Sequence, residues 1–108
     1  MEARCGYPRP VQFGPWQRLR ADLFPAAPGV LQLRREHGLV QYPRGRSAMI
    51  LYLAAADLRA AVADLAAAHP DRPWLCRCNR VPVADPPAAL ARLLADFVDR
   101  FGAPPQIA

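Results

Sequence analysis

A chain of 108 residues has room for one hydrophobic core, and an apolar fraction of 53% is enough to fill it without disulfide staples. No stretch approaches the roughly 20 apolar residues that cross a bilayer, and the first residues lack the apolar core of a signal peptide, so a cytoplasmic protein is expected. The net charge of +5 lies wholly in the first half: residues 1 to 50 hold eight Arg against three acids, residues 51 to 108 six of each. An uneven basic surface attracts polyanions by summed field and counterion release, nucleic acid foremost among them. All 14 basic residues are Arg, which beside the abundant Ala and Pro reads as genome composition rather than selection for Arg chemistry.

Residues 1–24 form an irregular lead-in, because Pro8, Pro10, Pro15 and then Pro25 and Pro28 deny long regular structure. Within it Trp16, Leu19, Leu23 and Phe24 fall at helical spacing and predict a short helix. A single domain is expected over 25–108. It opens with Val30, Leu31 and Leu33, a polar turn at Arg34 to Gly38, and a second run from Leu39 to Tyr42, the pattern of a β-hairpin. Pro43 to Arg46 makes another turn, and the apolar run Ala48 to Leu53 predicts a central strand buried on both faces. Asp57 is a good N-cap for a helix carrying Leu58, Val62 and Leu65 on one face and ending before Pro70. Trp74 to Cys78 reads as a further strand. Asp85 caps the clearest element, in which Pro86-Pro87 suit a first turn and Leu90, Leu93, Leu94, Phe97, Val98 and Phe101 form an apolar stripe that stops at Gly102. The order β-β-β-α-β-α specifies an α+β fold with a small antiparallel sheet flanked by helices.

Few residues offer chemistry. Cys5, Cys76 and Cys78 are an odd number and read as free thiols. Cys76-x-Cys78 with His69 lacks the spacing and the fourth ligand of a structural zinc site, and strand residues two apart share a face, so the pair reads as core. No metal and no cofactor are expected. His37 and His69 have no Asp or Ser partner at a recognised spacing, and no glycine-rich phosphate loop is present. The turn Tyr42-Pro43-Arg44-Gly45-Arg46-Ser47 sets two guanidinium groups beside an aromatic ring. With Arg34, Arg35 and His37 at the other hairpin end it could grip a phosphate backbone, with Tyr42 stacking on a base. A solvated turn is the plainer reading of the same residues.

Read together, these elements resemble a known family. Pro28-Gly29-Val30-Leu31 resembles the Pro-Gly-Val-Tyr that opens GIY-YIG nuclease domains, and Leu51-Tyr52-Leu53-Ala54 followed by Asp57-Leu58-Arg59 resembles their second motif running into Asn-Leu-x-x-Arg. Ala91 to Phe101 and the exit Gly102-Ala103-Pro104-Pro105-Gln106 look like the closing helix and its Pro-rich tail. The resemblance implies metal-assisted hydrolysis of a DNA phosphodiester, by a Tyr of each motif, a helical Arg and a metal-holding Glu. This sequence departs at those places. The first Tyr position holds Leu31, the motif Gly is Ala54, the Arg position falls on Ala61 and the Glu position on Leu94, leaving Tyr52 as the remnant. Arg59, two residues from the expected Arg, points to another side of its helix. The expectation is a catalytically inactive GIY-YIG-like domain that binds DNA or RNA through an Arg-rich hairpin face, Arg34, Arg35, His37, Tyr42, Arg44 and Arg46 being the contacts. One rival is a protein–protein interaction or homodimerisation module. The other is a divergent metal-dependent endonuclease using Tyr42, Tyr52, His69 and an acid such as Asp57 or Asp96.

Overall fold

The structure, a computed structural model, describes residues 10–107, so Arg4, Cys5 and Arg9 lie outside the described residues. The elements run β1 (Gln17–Arg18), a 3-10 turn (Ala21–Leu23), β2 (Gly29–Arg35), β3 (Val40–Tyr42), β4 (Gly45–Ser47), β5 (Met49–Ala55), α1 (Leu58–Ala68), β6 (Trp74–Cys78) and α2 (Pro86–Phe101). A four-stranded antiparallel sheet in the order β1-β6-β2-β5 carries the fold, with β3 and β4 paired as a separate ribbon. The small antiparallel sheet flanked by helices is the α+β architecture expected from the sequence. No helix among the described residues is long and apolar enough to cross a membrane.

Strand alternation builds two unlike faces. Leu31 and Leu33 of β2 stand opposite Leu53 and Leu51 of β5 and Cys78 and Cys76 of β6. This side forms the main core, where Phe24, Ile50, Leu58, Val62 and Trp74 join Leu31, Leu33 and Cys76 under α1. At roughly 1.5–3 kcal/mol for each fully buried aliphatic or aromatic side chain, this side dominates the hydrophobic driving force. Val30 and Gln32 face the other way, beside Tyr52, where α2 lays Phe97 down. A register shift between Leu33 and Arg34 leaves Ile50 as an extra residue on β5, fully buried in the main core.

Both helices begin and end as read. The Asp57 carboxylate accepts from Ala60 N at 3.1 Å and the Asp85 carboxylate from Ala88 N at 3.1 Å. Gly102 closes α2 with φ 88°, a left-handed cap where an added Cβ would come within 2.9 Å of Pro43. Asn79 ties β6 to the start of β2. Its buried side-chain oxygen accepts from Val30 N at 3.0 Å and its amide donates to Val81 O at 2.8 Å.

Three expectations are corrected. First, Leu39 to Tyr42 does not pair with β2. The partner of β2 is β5, because Leu51 and Leu53 match the inward set of β2, whereas Tyr42 folds back on Gly45 across a two-residue turn. The ribbon adds a strand to the β-β-β-α-β-α order. Second, Trp16 to Phe24 is helical only over the 3-10 turn Ala21–Leu23. Gln17 and Arg18 pair with Cys76 and Leu75 at the sheet edge, so the lead-in contributes a strand, and Phe24, 2% exposed, contributes to the core. Pro15 and Pro25 bracket a segment too short to hold an α-helix against that pairing, and a single 3-10 turn is what remains. Third, β5 is not the central strand. It ends the sheet and only Ile50 of it is fully buried, whereas β2 is buried along its first five residues.

Candidate nucleic-acid interface

The second face of the sheet is organised by one row of paired residues. Register places Tyr52, Gln32 and Arg77 side by side on β5, β2 and β6. Tyr52 meets Phe97 edge-on at 5.5 Å, so α2 covers the β5 end of the row. Gln32 is 3% exposed, and its side-chain oxygen accepts from Arg77 Nε at 2.7 Å. That bond consumes one guanidinium donor and sets the plane of the group. Beyond it, Arg77 lies over the ring of Trp16 at 4.3 Å and of Phe13 at 4.6 Å, and Arg34 lies over Trp16 at 5.4 Å.

The result is a half-buried strip of alternating guanidinium and aromatic groups over β1 and β6. Among the described residues, neither Arg77 nor Arg34 makes an ion pair; Arg18, at the sheet edge, faces Glu36 at 3.5 Å. Arg34 instead spends its Nε on the Arg35 carbonyl at 3.0 Å. Burial pulls the Arg77 guanidinium below its ordinary value, with Tyr52 opposing and Arg34 adding to the effect, yet an arginine remains a cation at neutral pH. Burial pushes the Tyr52 hydroxyl up, and the nearby Arg77 only partly offsets this. A half-desolvated cation without a counter-charge is suited to an external anion, since its attraction for one is less screened there than in open solvent.

The expected phosphate contacts, set at the two ends of one hairpin, are spread over β2, the loop after it and the β3–β4 ribbon. Arg34 belongs to the strip just described. His37 is exposed on the loop after β2, 3.8 Å from Glu36, and Arg35 stands half-buried at the strand end. Arg46 is exposed on β4. Arg44 is corrected to a structural role: its Nη2 donates to the Val98 and Asp99 carbonyls at 2.9 and 2.6 Å, capping the end of α2. Tyr42 is corrected as well. It is 4% exposed, packs edge-on to Phe97 at 5.1 Å, and its hydroxyl donates to Met49 O at 2.7 Å while accepting from Gln106 N at 3.2 Å. A ring so enclosed cannot stack on a base.

The positions that a GIY-YIG site would use are split between the two faces. Leu31 and the neighbouring Ala61 lie with the main core, whereas Tyr52 lies under α2, the helix that carries Leu94. Arg59 donates from Nε to Phe24 O at 2.9 Å and so anchors the lead-in. Of the replacement nuclease set, Tyr42 and Tyr52 come together, both edge-on against Phe97, but the other members are elsewhere: Asp57 caps α1, Asp96 faces Arg92 at 3.9 Å on α2, and His69 packs on Trp74 at 4.9 Å on the opposite side of the sheet from Tyr52. Cys76 is buried and Cys78 packs against the same core, as strand neighbours sharing a face should.

Arg77, Gln32, Phe13 and Trp16 escape sequence reasoning. The alternation of Leu75 and Arg77 against Trp74, Cys76 and Cys78 does place Arg77 opposite the core, but only the pairing of β1, β6 and β2 brings the aromatic rings to it. Comparison of the chain with protein-family models, curated proteins and solved structures finds no match.

Proposed function

We propose that this chain is a non-catalytic, GIY-YIG-like domain that binds nucleic acid through the strip over β1 and β6 rather than through the Arg-rich hairpin face. The observation that carries this reading is the Arg77 guanidinium, held by Gln32 against Phe13 and Trp16 with Arg34 over the same Trp16 ring and, among the described residues, no carboxylate paired to either. Interleaved aromatic and guanidinium planes on a sheet suit bases by stacking and phosphates by charge-assisted hydrogen bonds. The charge asymmetry adds a long-range field, to which Arg35 at the end of β2 and Arg46 on β4 contribute.

Support for the absence of catalysis comes from Tyr52. It stands opposite Gln32 with its ring edge-on to Phe97, and burial makes the hydroxyl harder to ionise, which suits neither a nucleophile nor a general base. The support for the GIY-YIG-like reading is that the strands bearing the two signature-like segments, β2 and β5, pair side by side. Fluorescence anisotropy with labelled DNA and RNA at low and moderate salt tests the binding role. Salt-sensitive binding to either is expected, and its absence for both would refute the proposal. Incubation with plasmid DNA and magnesium or manganese should leave the DNA intact.

A further inference from the structure

Resting on the binding role just proposed, we infer that the strip takes single-stranded nucleic acid in preference to duplex, with unpaired bases stacking on Trp16, Phe13 and the Arg77 plane and a phosphate taken by the outer guanidinium nitrogens. The geometry points this way for three reasons. Two aromatic rings lie against one cationic plane at the centre of the strip, Trp16 at 4.3 Å and Phe13 at 4.6 Å from the Arg77 guanidinium carbon. Planes of this kind recognise the faces of bases, which a duplex hides inside its own stack while presenting only edges and phosphates.

The second reason is immobility. Arg77 is not a flexible arm that could reach along a groove, because its Nε is committed to Gln32 Oε1 at 2.7 Å and Gln32 is itself buried. Its η nitrogens have no acceptor among the described residues, so a ligand phosphate can meet them at the rim of the stack. The third reason is width. α2 packs on β5 and β2 and walls off one side, leaving the β1–β6 strip, about 10 Å across at the ordinary strand spacing. One stacked strand fits there, and among the described residues Arg77, Arg34 and Arg18 are the cations on this face of β1, β2 and β6 to neutralise phosphates. Duplex affinity built on phosphate contacts alone would want more. Two or three such contacts give a salt slope of about −1.5 to −2 for a single strand.

The test titrates the full chain with short labelled single strands of DNA and RNA, their matched duplexes, and an abasic strand of the same length. Binding of one of the single strands at least tenfold tighter than both duplexes, quenching of Trp fluorescence on binding, and about tenfold weaker binding of the abasic strand are expected, the last being the loss of one stacking contact. Trp16→Leu and Arg77→Lys should each lose about tenfold while Arg92→Gln keeps full affinity, Arg77→Lys because an ammonium keeps the charge but not the plane. Duplex binding as tight as single-strand binding overturns the inference and leaves the broader binding role standing; no binding to any probe overturns both. Equal affinity for the abasic and normal strands also overturns it, and that comparison needs no variant to fold.

Discussion

Replacing Tyr42 by Phe removes one oxygen and leaves the ring where it is. The edge contact with Phe97 at 5.1 Å and the tilted contact with Phe101 at 6.0 Å therefore survive. What is lost is the hydrogen bond to Met49 O at 2.7 Å and the one accepted from Gln106 N at 3.2 Å. Gln106 is exposed, so its amide can turn to water at little cost, whereas the carbonyl of half-buried Met49 loses its partner at the start of β5. The expected loss is about 1–2 kcal/mol. In a domain of this size each kcal/mol lowers the melting temperature by roughly 4–8 °C. Thermal and urea melts followed by circular dichroism measure the stability, and anisotropy with a labelled strand measures the affinity, which should not change. Unchanged stability with severalfold weaker binding would refute the structural role given to this side chain and return it to the ligand.

The other predictions concern the helix end, the strand clamp and the core thiol. Arg44→Gln strips the α2 terminus of its cationic cap and should cost about 0.5–1 kcal/mol in urea unfolding, with nucleic-acid affinity nearly unchanged because the side chain is committed to Val98 O and Asp99 O. Asn79→Ala leaves the buried Val30 N–H without its acceptor and frees Val81 O, and should cost roughly 2–3 kcal/mol; a loss under half of that would contradict the clamp. Burial pushes the Cys76 thiol up from 9.0 to about 12, with the neighbouring Cys78 adding to the effect. The unfolded chain then releases a proton that the folded chain keeps. Stability is full below pH about 9 and falls as pH rises towards 12, by up to about 1.4 kcal/mol per pH unit from this group. Urea unfolding across pH 8 to 10 should show the decline, flattened in Cys76→Ala; equal slopes in the two proteins would contradict it.

Local signals are what the sequence made legible. Asp57, Asp85, Pro86 and Gly102 mark helix ends through chemistry confined to one turn, and α1 and α2 lie where those residues place them. The strand pairing was less legible because it depends on partners far apart: Leu31 and Leu33 choose Leu53 and Leu51 over the nearer Val40. The turn around Arg44 shows the same limit. Tyr42 and Arg44 read as an exposed recognition tip because the groups that engage them, Phe97, Val98 and Asp99, lie more than fifty residues along the chain. Arg77 was hidden for a related reason. It sits between two cysteines that read as core, and its surroundings are assembled from Phe13, Trp16 and Gln32 on three separate segments.

The location of the binding face can be measured directly by titrating the isotope-labelled chain with a short single strand and following backbone, indole and guanidinium resonances. Signals of Phe13, the Trp16 indole, Arg34 Nε and Arg77 Nε are expected to move, whereas the buried Trp74 indole on the opposite side of the sheet and the helix-capping Arg44 stay still. Shifts confined to the Tyr42–Ser47 ribbon, or no shifts at all, would contradict the account.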